Sequence, residues 1–151
     1  MGTLKVYLDN CSYNRPFDNQ SQMKVRLETE AKLYIQSGIR EKKYLLVWSY
    51  MLDYENGMNP YEEKRKAIAP WKEIANGYCT SSNDILSAGR EIMKCGIRAK
   101  DALHIACAIK NGCEYFITTD EKLTNKTLAN IKIVNPIDFV RETEGLYHEN
   151  R

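Results

Sequence analysis

Four acidic residues, Asp9, Glu55, Asp101 and Asp120, stand where a carboxylate can do more than keep a surface wet. Asp9 directly follows the strand-like run Leu4-Lys-Val-Tyr-Leu8, and Glu55 lies in the helical pattern after Tyr44-Leu-Leu-Val-Trp48. Asp101 falls in the first turn of a helix, and Asp120 lies just beyond the β-prone run Tyr115-Phe-Ile. In an open α/β sheet these are rim positions, outside the carboxyl ends of the strands, where ligands collect. Carboxylates brought together there repel one another unless a cation neutralises them. Ligands that offer only oxygen suit Mg²⁺ or Mn²⁺. Rival chemistries lack their residues. With two histidines, His104 and His148, a histidine-based zinc site has too few ligands. No GxGxxG, Walker or G-x-S-x-G pattern occurs. Singly, each acid has a structural explanation: a first-turn charge for Asp101, turn residues for Asp9 and Asp120, a solvated helical acid for Glu55. Jointly they point to metal chemistry, because Asp9 follows a strand that belongs at the centre and its loop offers only Arg15 as a counter-charge. The four carboxyl groups are expected within about 8 Å of a common point, close enough to share an octahedral ion. His104, three residues after Asp101, reads as a packed helix histidine at the edge of this site.

The elements that must position these acids alternate. Strands are expected near Leu4–Leu8, Tyr44–Trp48, Tyr78–Thr80, Tyr115–Thr118 and Ile131–Val134, the third being the weakest pattern. Between them, Asn10 to Gln20 holds Pro16 and several Asn, Asp and Ser, and reads as a loop. Ser21 is a candidate cap for a helix carrying Met23, Leu27, Ala31 and Tyr34-Ile35 on one side, with Gly38 as its stop. Ser49 caps a helix through Tyr54 to Asn56-Gly57, and Asn59-Pro60 opens another that Pro70 must break near Ala69. Ser81 or Ser82 opens a helix with Ile85, Leu86, Gly89, Ile92 and Met93. Ala102, Ile105, Ala106 and Ile109 then recur at helical spacing up to Asn111-Gly112. By helical geometry Ile105 faces the sheet and Leu103 a neighbouring helix or a partner subunit. Glu121 to Asn130 is polar and loop-like, with room for one helical turn. Alternating strands and helices, two of the strands being continuous apolar runs, argue an α/β fold with a parallel sheet covered on both faces.

Composition bounds the partners. The chain of 151 residues suits one domain with a sizeable core, and its net charge of +2 gives no global polyanion-binding signal. Locally, Arg90, Lys94, Arg98 and Lys100 are opposed only by Glu91, so the approach to Asp101 is basic. Five cysteines, none in a CxxC pair, fit a reduced protein with buried thiols. No apolar run approaches membrane-spanning length and no leader-like segment precedes the first strand, so the cytoplasm is expected, with no membrane partner.

These motifs resemble the PIN-domain family, the fold of many small metal-dependent ribonucleases, including the toxins of toxin–antitoxin pairs. Val6-Tyr-Leu-Asp9-Asn10 is similar to the family's first acidic motif, and Val47-Trp-Ser49 through Glu55-Asn-Gly57 to its second. Lys100-Asp101-Ala-Leu-His-Ile-Ala106 and Phe116-Ile-Thr118-Thr-Asp120 are similar to the third and fourth, which are the specific ones. The likeness runs from Leu4 to about Val140, so it implies a PIN-like domain over residues 1–140 and a tail, frayed or weakly docked, over residues 141–151. It departs at Asn10, where the family most often has a small hydroxyl residue, and in the polar loop Asn14-Arg-Pro-Phe-Asp18.

The resemblance implies a three-layer αβα fold with a five-stranded parallel sheet in the order 3-2-1-4-5. It implies hydrolysis of RNA, with Asp9, Asp101 and Asp120 holding Mg²⁺ or Mn²⁺ and Glu55 as a further ligand or as the orienter of a water. Asn10 and Thr118 would fix carboxylate geometry from behind. Arg15, Arg98 and Lys100 are candidate phosphate contacts, and Tyr13 and Phe17 candidate base-stacking residues. The partners it implies are RNA, an antitoxin protein and a second copy of the chain. Asp53, pointing away from Glu55, is expected to be solvated. A non-catalytic nucleic-acid-binding or protein-interaction module on the same fold is the alternative. A phosphate-accepting receiver domain would need an aspartate where this chain has Cys79-Thr80.

Overall fold

The computed structural model describes residues 3–149, with side chains for residues 3–144. Five strands, β1 (Leu4–Leu8), β2 (Tyr44–Ser49), β3 (Gly77–Cys79), β4 (Tyr115–Ile117) and β5 (Lys132–Val134), form one sheet in the order β3-β2-β1-β4-β5. Every pairing is parallel, with Tyr7 opposite both Val47 and Phe116. The expected order and strand type are thus present, in a three-layer α/β/α arrangement. Side chains of the inner strands explain the parallel sheet: Val6, Tyr7, Leu8, Leu46, Val47, Trp48, Phe116 and Ile117 are all buried, so both faces need helical cover. The third strand is Gly77–Cys79, one residue earlier than its pattern suggests.

The helices are α1 (Asn10–Asn14), α2 (Met23–Arg40), α3 (Tyr50–Gly57), α4 (Glu62–Ile68), α5 (Pro70–Ile74), α6 (Asn83–Met93), α7 (Ala99–Lys110), α8 (Glu121–Thr124) and α9 (Pro136–Glu149). α2 packs with α9, and α6 with α7. The segment after β1 corrects the expected loop: it is helical from Asn10 to Asn14 and continues as a 3-10 turn over Arg15–Phe17. α4 opens at Glu62 rather than Pro60, while the break before Pro70 falls where expected. The segment expected as a loose tail is helical to Glu149, so the boundary at residue 140 falls inside α9; residues 150–151 lie outside the described residues.

α2 departs furthest from its sequence pattern. It starts after Gln22, not Ser21, and runs past Gly38 to Arg40. Gly38 is a packing position, not a stop, because a Cβ there would stand 2.5 Å from the Tyr44 ring. The apolar stripe Met23, Leu27 and Tyr34 faces outward, whereas Glu28, Lys32 and Gln36 are buried with Val25, Ile35 and Ile39. Glu28 is paired inside with Arg15 at 3.0 Å and takes a hydrogen bond from the Asn135 amide. For Glu28, partners waiting in the interior offset the cost of burying its charge, so hydropathy alone does not set the face.

On α7 the expected orientation holds: Ala102, Ile105 and Ala106 are fully buried, and Leu103 lies against Gly89 of α6. Ile105→Ala should therefore cost about 2–4 kcal/mol through the cavity it leaves. Chemical denaturation measures this, and a loss under about 1 kcal/mol would mean that the site collapses around the smaller side chain.

Candidate active site

The strand order puts β1 between β2 and β4, so the segments leaving three neighbouring strands share one rim. At each exit the chain turns into a helix through a polar capping residue. Asp9 accepts the Asn10 N–H at 2.8 Å, Ser49 accepts the Leu52 N–H at 3.3 Å, and Asp120 accepts the Lys122 N–H at 2.9 Å. Asp101 enters from above, in the first turn of α7, and Glu55 comes from α3. Together Asp9, Glu55, Asp101 and Asp120 line one cleft of about 330 Å³, with Asn10, Cys11, Asn14 and Asp18. Among the described residues no three His, Cys, Asp or Glu side chains form a ready-made metal cage. The acids share the cleft without closing on one point.

Asp9 is the most enclosed of them. Its Oδ2 accepts the Thr118 hydroxyl at 2.9 Å and the Cys11 thiol at 3.4 Å, while Oδ1 is held by the Asn10 N–H. Thr118 Oγ1 also accepts the Asp120 N–H at 3.1 Å, so one hydroxyl ties two of the acidic segments together. Burial first, then the charges of Asp9 and Asp120, push the Asp101 carboxyl above its ordinary range. The repulsion expected of the acid cluster is thus felt at Asp101.

Glu55 is held differently. Its Oε1 takes a hydrogen bond from Nε2 of His104, which is buried completely. His104 Nδ1 lies 2.5 Å from the Tyr7 hydroxyl, and that hydroxyl lies 2.6 Å from Ser49 Oγ. Burial alone would lower the imidazole, but the Glu55 hydrogen bond and the Asp9, Glu55 and Asp101 charges outweigh it and raise its pKa. His104 is the packed helix histidine expected, yet it also reaches the site from beneath. One signal for Tyr7 lies in the sequence: alternation along β1 puts Tyr7 on the same face as Asp9.

The surface groups divide. Phe17 is exposed, Lys100 lines a second hollow of about 230 Å³ beside the cleft, and Arg98 lines a third with Asp101 and Asp120. Tyr13 is fully buried, its ring edge-on to Trp48 at 5.3 Å, so it is unavailable for stacking a base. Arg15 is committed to Glu28 and Asp18, at 3.0 and 2.9 Å. Asp53 is not simply solvated, since it accepts from Trp48 Nε1 at 2.8 Å and from the Tyr78 hydroxyl. Sequence reading passed over Tyr54, Met58 and Tyr61, exposed side chains of and beyond α3; Tyr54 and Met58 line the second hollow. An apolar helix pattern does not distinguish such a rim from a core.

A carboxyl whose pKa is raised in the folded state favours folding in its protonated form. That contribution is complete below the ordinary carboxylate value of about 3.9 and is lost as pH rises through the folded value. At neutral pH and without divalent cations, Asp101 is therefore a destabilising charge, and Asp101→Asn should melt no lower than wild type. Thermal melts at pH 7 check this; a fall beyond about 3 °C, roughly 1 kcal/mol for a domain of this size, would make Asp101 a structural acid.

No protein-family model and no curated protein matches the sequence. Among solved structures, the crystal structure of VapBC2 from Rickettsia felis bound to a DNA fragment from its promoter superposes with a TM-score of 0.56. The alignment covers 87% of this chain and 98% of that chain at 14% identity. A likeness at that identity speaks to architecture, and it agrees with the strand order and layering described above. The chain carries a PIN-like α/β/α fold.

Proposed function

We propose that the chain is a Mg²⁺- or Mn²⁺-dependent endoribonuclease that hydrolyses single-stranded RNA, and that it serves as the toxin of a toxin–antitoxin pair. The observation that carries this reading is the meeting of Asp9, Glu55, Asp101 and Asp120, from four separate segments, along one cleft at the carboxyl rim of a PIN-like sheet. The residues suit a hard cation. Their donors are carboxylate oxygens, and the repulsion that raises Asp101 is what a bound positive charge relieves. Asp9, Asp101 and Asp120 would hold the ion, which when bound supplies an acidified water and neutralises charge on the phosphate.

The remaining roles fall to the protein's own groups. Thr118 and the Asn10 N–H fix the orientation of Asp9. Glu55, a lining residue of the cleft with one oxygen committed to His104, is suited to accept a hydrogen bond from the attacking water. Lys100 and Arg98 flank the acids and suit backbone phosphates. At the second hollow Lys100 Nζ is 5.7 Å from the exposed Tyr54 ring centre, and beyond α3 Lys64 Nζ is 4.4 Å from that of the exposed Tyr61. Aromatic faces beside ammonium groups fit unpaired bases and their phosphates better than a closed duplex. The outer face of α2, with Met23, Leu27, Leu33 and Tyr34 exposed, is apolar surface of the kind an antitoxin or a second copy of the chain would cover.

Asp9→Asn removes a ligand and a charge, and should reduce Mn²⁺-dependent cleavage of a single-stranded RNA to background while the variant stays folded. Millimolar Mn²⁺ should raise the melting temperature of wild type and not of the variant. If the ion leaves the wild-type melt unmoved, or the variant cuts as well as wild type, the binding-module reading replaces this one. Tyr54→Ala should weaken RNA binding by about 1–3 kcal/mol if a base stacks there. Lys100→Ala should instead flatten the salt dependence of binding by roughly one phosphate contact. Fluorescence anisotropy across a salt series measures both.

A further inference from the structure

The buried contacts beneath Glu55 form a closed circuit. Ser49 ends β2 and caps α3; α3 carries Glu55; Glu55 Oε1 takes the His104 Nε2–H; His104 Nδ1 meets the Tyr7 hydroxyl; and that hydroxyl returns to Ser49 Oγ. Tyr7, Ser49 and His104 are each fully buried. Tyr7 is held in turn by its ring, which stacks on Phe116 at 5.3 Å and meets the His104 ring edge-on at 5.6 Å. Glu55 is therefore fixed at both ends, through the capped start of its own helix and through its carboxylate. Among the described residues Oε2 has no protein partner, so the circuit leaves Glu55 one oxygen for the cleft.

A core alone gives little reason for this arrangement. Three polar side chains brought from β1, β2 and α7 into the interior cost desolvation that apolar residues of similar shape would avoid. All three polar contacts run towards one half-exposed carboxylate at the site.

We propose that His104, suspended from Tyr7 and Ser49, is the positioning residue of Glu55: it commits Oε1 and aims Oε2 at the water that attacks the scissile phosphate. This role rests on the ribonuclease reading for its consequence, but not for its geometry. It makes Glu55 a one-oxygen acceptor in the cleft, the only one of the four acids whose committed oxygen is held by a buried histidine.

Tyr7→Phe keeps the stacked ring and removes only the hydroxyl from which His104 hangs. With RNA and Mn²⁺, the variant should lose about 10–100-fold in kcat. Its KM for RNA and its half-saturating Mn²⁺ should stay within about twofold, because the groups that bind substrate and ion are untouched. His104→Gln, which retains an amide donor for Glu55, should recover part of the rate that His104→Leu loses. A merely structural role would instead lower activity in step with the folded fraction and show no such recovery. A second readout needs no turnover. The chain has two histidines, so His104→Gln assigns the imidazole signals by ¹H–¹⁵N spectroscopy. Wild type should show an Nε2-bound proton sheltered from exchange that shifts in Tyr7→Phe. If that proton exchanges freely in wild type, or if Tyr7→Phe cleaves at the wild-type kcat, the inference is overturned. Should wild type show the sheltered proton yet cut no RNA, the ribonuclease reading fails while the positioning circuit stands.

Discussion

The constraint on which the site depends is the central place of β1. Because β1 pairs with β2 on one side and β4 on the other, the chain leaves three adjacent strands at the same rim. Hydrogen bonding carries the pairing one residue beyond the strand, with the Asp9 N–H donating to Ile117 O at 2.9 Å. Asp9 and Thr118 are thereby forced together, and Asp120 with them. Each strand end must then turn into a helix, and each turn uses a side chain that accepts a backbone N–H. The acids of the site are in part the punctuation of the fold. Such capping softens the cost of crowding carboxylates, because Asp9 and Asp120 each receive donors from the chain itself.

Asp101 has no such help. Arg98 caps α7 without a side-chain hydrogen bond, and the Asp101 carboxyl meets burial and two neighbouring negative charges. The four acids are thus unequal: Asp9 fully bonded, Asp120 a cap, Asp101 crowded, and Glu55 tethered to His104. A site built this way holds three of its acids by hydrogen bonds and leaves the fourth crowded by its neighbours' charges. Unequal environments for like groups are how a cluster of carboxylates divides its tasks.

The interior of the other layer shows a different balance. Glu28 and Lys32 lie on the buried side of α2, Lys32 with its ammonium 5.5 Å from the Tyr13 ring. Burial, with the Arg40 charge behind it, draws that ammonium down to about 7. Taking Arg15 away from the buried Glu28 would be costly, whereas exposing Met23 and Leu27 forfeits only some apolar burial. The helix therefore turns its charged side inward and offers its apolar side to solvent or to a partner.

The sequence alone determined the elements that rest on local chemistry. Strand-like runs, two of them continuously apolar, marked β1, β2 and β4; Ser49 and the Ser81-Ser82 pair marked helix starts; Pro70 marked a break; and the acids at the strand ends and helix starts marked a rim. These are properties of neighbours in the chain, so periodicity and capping residues expose them. The orientation of α2, the helix hidden in Asn10–Asn14, the burial of Tyr13 and the commitment of Arg15 were decided only in three dimensions. So was the circuit through Tyr7, Ser49, Glu55 and His104, whose members meet across separations of up to 97 residues. Tyr13 is carried inside by its ring, which packs against Trp48, while its hydroxyl finds no hydrogen-bond partner among the described residues. For Glu28, Arg15 and the circuit the physical reason is that a distant element brings each polar side chain its partner, and nothing in the local pattern records that meeting.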